Sequence, residues 1–150
     1  MSQTNHNLQS ATRSEIEQHQ LHRLNHLLAE ILPANDFYHK KLGVDDLQLN
    51  DLSELADLPF TTKHELISNN SKSNSAVNLS YATEQYVRFH RTSGTTGLPL
   101  VILDTATDWQ WWIDTWQYVL DAASITELDR AFLAFSFGPF IGFWSAHDAI

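Results

Sequence analysis

The sequence predicts an α/β fold, with a helical amino-terminal segment followed by the first strands of a mixed sheet and its covering helices. Three observations predict it. Leu21, Leu24, Leu28, Ile31 and Leu32 recur at three-four spacing, the period of a helix with one apolar face. Two apolar segments, 85–90 and 98–103, flank the glycine- and hydroxyl-rich stretch Thr92 to Gly97, the pattern of strand, loop, strand. Residues 104–123 then return to helical spacing with four tryptophans.

Taken in order, residues 1–13 are rich in Ser, Thr, Asn and Gln and form a disordered tail. Ser14 and Glu17 have capping-box spacing and open the leucine helix, which Pro33 is expected to close. His19, His22 and His26 share a face opposite the leucines. Their spacing would suit a metal, but no cysteine or clear carboxylate completes a ligand set, so they form a solvated polar face. Asp36 to Leu42 predicts a second short helix, Gly43 to Asn50 a loop, and Asp51 to Asp57 a helical turn. A short helix starts near Thr62, after the Pro59-Phe60 break. Ser68 to Ser80 is polar and reads as a surface loop, which makes 14–80 a helical segment and 81–150 the start of a second domain.

In the second part, the expected strands lead into and out of the loop. Thr107 or Asp108 is expected to cap the tryptophan helix. Trp109, Trp112, Ile113, Trp116, Val119, Leu120 and Ala123 form its apolar stripe, read as packing against a sheet rather than as a ligand platform. Ala131 to Phe135 predicts a short buried strand, followed by a turn in which Phe135, Phe137, Phe140, Phe143 and Trp144 crowd around Gly138 and Gly142. His90 is read as a packed strand residue, and His147 as the start of a terminal helix.

Composition narrows the function. Eighteen acidic against nine basic residues give a formal charge of −9, which argues against a nucleic-acid surface and against a basic membrane patch. Cysteine is absent, so disulfides, thiolate metal sites and a cysteine nucleophile are excluded. The first thirteen residues lack the apolar core of a signal peptide, and no run reaches the roughly 18 apolar residues of a membrane helix. A cytoplasmic protein without nucleic-acid or membrane partners is expected; composition leaves the oligomeric state open.

The loop carries the chemistry. Gly94 and Gly97 permit positive φ and leave amides uncovered, while Ser93, Thr95 and Thr96 add hydroxyl donors. Such a loop suits a phosphate, although ordinary hairpins use the same residues. A Walker loop is excluded because Leu98-Pro99 follows Gly97, and a dinucleotide fingerprint because a strand follows rather than a helix.

The string Thr92-Ser93-Gly94-Thr95-Thr96-Gly97-Leu98-Pro99 resembles the phosphate-binding loop of the acyl-adenylate-forming enzymes. Four stretches resemble the phenylacetate-CoA ligase-like proteins in order: Asp36 to Leu42, Leu58 to Lys63, Val87 to Arg91 running into the loop, and Ala134 to Phe140. The resemblance implies the amino-terminal portion of the large domain of such an enzyme, using ATP, Mg²⁺ and coenzyme A on a small-molecule carboxylic acid. It also implies that Thr92, Ser93, Gly94, Thr95, Thr96 and Gly97 bind the nucleotide. By the same resemblance Phe135, Phe137 and Phe140 are expected to line the acid's pocket, which would suit an aromatic or hydrophobic acid. Family members often carry Lys where Leu98 stands, and the wider superfamily where Leu100 stands. Arg91 offers partial compensation. Because the sequence stops at His147 to Ile150, apparently in an opening helix, it is expected to be part of a larger enzyme and inactive alone, with no catalytic residue of its own. Two other readings stay open: a non-catalytic nucleotide-binding relic, and a helical interaction module with a polar hairpin loop.

Overall fold

The computed structural model describes residues 8–68, 76–94, 99–136 and 138–150. They fall into two compact units. The first comprises residues 8–68 and 77–82, the second residue 76 and residues 83–150.

In the first unit, helix α1 spans Arg13–Ala34. The Glu15 amide donates to Thr12 Oγ1 and the Thr12 amide donates to the Glu15 carboxylate, a complete capping box. The start therefore lies two residues before the expected Ser14/Glu17 frame. Thr12-x-x-Glu15 has the same spacing, and choosing it adds the backbone bond from Ile16 to Thr12 and an Arg13–Glu17 pair. Pro33 lies inside the last turn rather than ending the helix, because the Asn35 amide still reaches Ile31 O at 2.7 Å. The leucine stripe behaves as its spacing predicts. Leu28 and Leu32 are buried with Leu49, and Leu21, Leu24, Ile31, Leu42 and Leu47 pack around them. Asn25 fixes the incoming loop by pairing both ways with the Leu49 backbone, at 2.8 Å in each direction.

Asn35 is the pivot between helices. Its amide closes α1, and its Oδ1 accepts from the Tyr38 amide at 3.1 Å to open α2, Asp36–Leu42. Its Nδ2 donates to Asn78 O and Ser80 Oγ, at 2.8 and 3.0 Å. Helix α2 ends at Gly43, whose φ of 69° is left-handed. A 3₁₀ turn at Leu52–Asp57 is capped by Asp51. Helix α3, Lys63–Ser68, opens on a reciprocal Thr62–Glu65 pairing. Lys41 and Glu65 join α2 to α3. The Lys41 ammonium, with the Thr62 amide and hydroxyl, holds the Glu65 carboxyl down to about 2. Most of the expected 68–80 loop lies outside the described residues, as does the start of the expected tail.

In the second unit, a 3₁₀ turn at Thr83–Gln85 leads into β1, Tyr86–Arg91, which pairs antiparallel with β2, Val101–Thr105. Arg88 faces Asp104, Phe89 faces Leu103, His90 faces Ile102 and Arg91 faces Val101, with an irregularity between Tyr86 and Arg88. Helix α4 spans Ala106–Ala122 and α5 spans Ile141–Ala149. The α4 cap is Thr105, not Thr107 or Asp108. Asp108 instead sits at the third helical position and returns its carboxylate to the Thr105 amide.

The tryptophan stripe is covered at one end only. Trp109 is buried, Trp116 Nε1 donates to Ser145 Oγ at 3.0 Å, and Gln117 reaches Ala149 O. Val119 and Ala123, expected in the stripe, are exposed. Helix α5 has nine residues against the seventeen of α4, so it covers only ~14 Å of a ~26 Å helix. Residues 131–135 are neither strand nor core, and Phe132 is 90% exposed. Among the described residues the sheet has two strands, β1 and β2, and this run joins neither. His147 lies in the last turn of α5 rather than opening a helix.

Asn35 is 2% exposed and its side chain serves three partners. Asn35→Ala is expected to cost about 2 kcal/mol, from a lost cap plus buried groups left unpaired. Urea unfolding measures this, and a change below about 0.5 kcal/mol would contradict the pivot.

Candidate functional site

The loop is closed at its base by Thr92. Its amide donates to Leu100 O at 3.0 Å, and its hydroxyl accepts from the Leu100 amide at 2.9 Å. The Thr92 amide is thus already used, while its hydroxyl proton remains to be donated. Ser93 is exposed, and Gly94 has a φ of 67°, the left-handed conformation its lack of a side chain permits. Thr95, Thr96, Gly97 and Leu98 lie outside the described residues.

Because the Thr92 amide points at β2, the amide before it points the other way. The Arg91 amide donates to Pro139 O at 2.7 Å. That bond lays the aromatic turn along the strand that enters the loop. Within the turn, Phe135 stacks on Phe143 with centroids 4.5 Å apart, and Phe140 meets Phe143 edge-on at 5.8 Å. Trp144 Nε1 donates to Gly138 O at 2.8 Å. A Cβ on Gly138 would sit 3.2 Å from the Phe140 ring, so glycine there lets that ring fold back. Phe135 and Phe140 are therefore brought together around Phe143, a ring that spacing could have flagged because it lies three residues after Phe140 in α5. Phe137 lies outside the described residues.

Asp148 holds this arrangement in place. One carboxylate oxygen accepts from Arg88 Nη2 at 2.7 Å and Trp109 Nε1 at 3.0 Å; the other lies 2.8 Å from His147 Nδ1. The His147 bond foremost, with the Trp109 bond and the Arg88 charge, holds the Asp148 carboxyl below the ordinary carboxylate range, against an opposing effect of burial. Arg88 also lies over the Trp109 ring, 4.8 Å from its centroid. His90 packs as expected, 3% exposed and stacked on Trp109 at 5.3 Å. His22 and His26 are exposed on α1, and among the described residues no group of three or more His, Cys, Asp or Glu is placed to hold a metal ion.

The fold is that of one portion of an adenylate-forming acid–CoA ligase. The crystal structure of a 2-hydroxyisobutyryl-CoA ligase, in the postadenylation state with 2-HIB-AMP, superposes over 91% of this chain with a TM-score of 0.77 at 20% identity; the match covers 29% of that chain. No family model matches the sequence. Individual relatives do, and through them the chain belongs to the phenylacetate-CoA ligase-like family. It is 32% identical over 143 residues to the phenylacetate-coenzyme A ligase of Escherichia coli K12 and 33% identical over 148 residues to that of Aromatoleum evansii. Each match takes in 93% of this chain but 32% of the relative, so the chain spans about a third of the length of the curated relatives it matches. Among the described residues no helix is long and apolar enough to cross a membrane.

Two outcomes test this geometry. Gly94→Ala places a side chain at left-handed φ and is expected to cost about 1 kcal/mol in denaturant unfolding. Asp148 titrates lower in the folded chain than when unfolded, so its contribution is complete above about pH 4 and is lost as pH falls through its depressed folded value. Melting temperatures of the native chain should therefore drop more steeply with acid than those of Asp148→Asn; parallel curves would remove Asp148 as the tie.

Proposed function

We propose that this chain forms part of an ATP-dependent carboxylic acid–CoA ligase, which makes an acyl-adenylate and then a thioester from an aromatic or hydrophobic acid. The observation that carries the reading is the Arg91–Pro139 bond, which sets an apolar aromatic turn beside the strand opening into a hydroxyl-rich loop. An enzyme that joins an acid to a nucleotide needs an anion grip and an apolar wall side by side. The names of the relatives, all phenylacetate-coenzyme A ligases, support an aryl acid.

In this reading a carboxylate oxygen of the acid attacks the α-phosphorus of ATP. The bond to the bridging oxygen breaks and pyrophosphate leaves. The sulfur of coenzyme A then attacks the acyl carbon, AMP leaves and the thiol proton passes to solvent. The loop contributes electrostatics rather than bond making. The Gly94 and Gly97 region offers amides, and Ser93, Thr95, Thr96 and the Thr92 hydroxyl offer donors to the β- and γ-phosphates. Exposed Ser93 and left-handed Gly94 fit such a role. With Leu98 and Leu100 where lysines often stand, amide dipoles carry more of the charge stabilisation. The described residues supply no ligand cluster for a metal, so Mg²⁺ would arrive on the triphosphate. Phe135, Phe137 and Phe140 would hold the acid's apolar part, and Phe143 would support them from behind. A cytoplasmic setting suits ATP and coenzyme A as substrates.

The absent lysines favour one competing reading, a nucleotide-binding relic. Acid-dependent pyrophosphate release from the complete gene product decides between them, since a relic binds ATP–Mg²⁺ without releasing pyrophosphate. Joint replacement of Thr95 and Thr96 by Val is expected to lower that turnover by ~100-fold with the fold intact. Phe140→Ala is expected to raise KM for an aryl acid by ~10-fold while leaving the ATP KM unchanged.

A further inference from the structure

His90 and Asp104 are the most deeply buried ionisable pair of the second unit, 3% and 7% exposed. His90 Nε2 lies 3.3 Å from Asp104 Oδ2 across the β1–β2 pair. Neither ring nitrogen of His90 and not Oδ2 of Asp104 has a hydrogen-bond partner. Buried polar atoms are nearly always satisfied. Nε2 and Oδ2 face each other at a separation that admits nothing larger than a proton, while Nδ1 has no partner. Trp109 covers the imidazole face, 5.3 Å away and inclined by 22°. No third imidazole, carboxylate or thiol completes a metal set among the described residues.

We propose that His90 and Asp104 form a buried proton-binding site, holding one shared proton between Nε2 and Oδ2 that ties β1 to β2 beneath the loop.

The charge arithmetic favours single occupancy. With one ionisable proton, the pair is net neutral whichever partner carries it. Without it, a bare carboxylate is buried; with two, a buried cation faces Arg88. The charged groups around the pair agree. Burial first, and Asp108 at the start of α4 second, push the Asp104 carboxyl up to about 6. Burial first, and Arg88 on β1 second, push His90 below its ordinary value. Asp148 of α5 faces Arg88 and the indole of Trp109 and so moderates the arginine's field. Sharing one proton, the two residues would titrate as a unit, and each proton step would belong to the pair.

The sign follows. The Asp104 carboxyl binds its proton more tightly in the folded chain, so its contribution is complete below about pH 4 and is lost as pH rises through about 6. The lowered His90 works in the opposite sense below about pH 6.5, because the unfolded chain takes up that second proton more readily. The strand tie is therefore strongest while one proton is present and weakens on either side. His90 stands two residues before Thr92 and Asp104 four after Leu100, so the site lies under the bonds that close the loop.

The test is an NMR titration of the native chain, with Asp ¹³Cγ and imidazole ¹⁵N assigned through their backbones. The Asp104 carbon is expected to titrate with a midpoint near pH 6. His90 nitrogens should move through the same step. A midpoint near 4, as for a solvated aspartate, or His90 nitrogens indifferent to the Asp104 step, would overturn the proposal. Asp104→Asn supplies a second reading. The melting temperature of the native chain, relative to this variant, should fall by several degrees between pH 5 and pH 8; an unchanged difference counts against the site. Should the variant not fold, the titration of the native chain decides alone.

Discussion

The second unit depends on one carboxylate. Two antiparallel strands are not stable by themselves, and β1 and β2 have no third strand among the described residues. What holds them is α4 and α5, and what holds α5 is Asp148, which accepts from Arg88 of β1 and Trp109 of α4 while pairing with its neighbour His147. Three donors on a carboxylate that is only 20% exposed give directional ties that apolar packing would not. The consequences run outward. With α5 fixed, Phe143 is fixed; Phe135 and Phe140 collect around it, and the Pro139 carbonyl comes within reach of Arg91. A strand, a loop base and an aromatic turn thus inherit their geometry from a side chain two residues from the end of the sequence.

The first unit works by a different rule, and the contrast explains what the sequence made legible. Leu28 and Leu32 recur at the helical period, so the sequence shows which face is buried before any partner is known. Asp36 to Leu42, with Gly43 behind it, and the turn after Asp51 are set by caps and a left-handed glycine, all local signals. Both strands were visible from alternation, and the left-handed Gly94 from its place in the loop. Where two local frames compete, sequence does not choose. Thr12-x-x-Glu15 and Ser14-x-x-Glu17 are equally good on paper, as are Thr105 and Thr107 before α4. The winner is the one whose flanking backbone is already extended, with ψ of 160° at Thr12 and 171° at Thr105.

Features built from distant residues left no local mark. Arg88 and Asp148 are sixty positions apart, and nothing about either announces the other. The same blindness made Ala131 to Phe135 look like a strand, since five small and apolar residues read alike whether or not a sheet edge awaits them. In the candidate site the sequence named Phe135, Phe137 and Phe140 as lining and left Phe143 among the crowded aromatics, because its place between Phe135 and Phe140 is defined by what it touches. His90 was read as a packed residue, which it is. Its unsatisfied nitrogens follow from the cross-strand register that sets Asp104 near it, and register cannot be read from one strand.

The acidity of the chain adds a last constraint on how an anion could be held. A formal charge of −9 repels a polyphosphate at long range. Binding would then rest on short-range donors, which act within a hydrogen-bond length and are little affected by distant charge. Thr92 is tied on both its amide and its hydroxyl oxygen, and Gly94 is left-handed, so the described start of the loop has a set backbone. The aromatic turn follows the same economy of motion. Phe135 and Phe143 give each other their faces, Trp144 is anchored on Gly138, and Phe140, 38% exposed, meets Phe143 edge-on. A ring braced by such a neighbour would lose little conformational freedom if an apolar group settled on it.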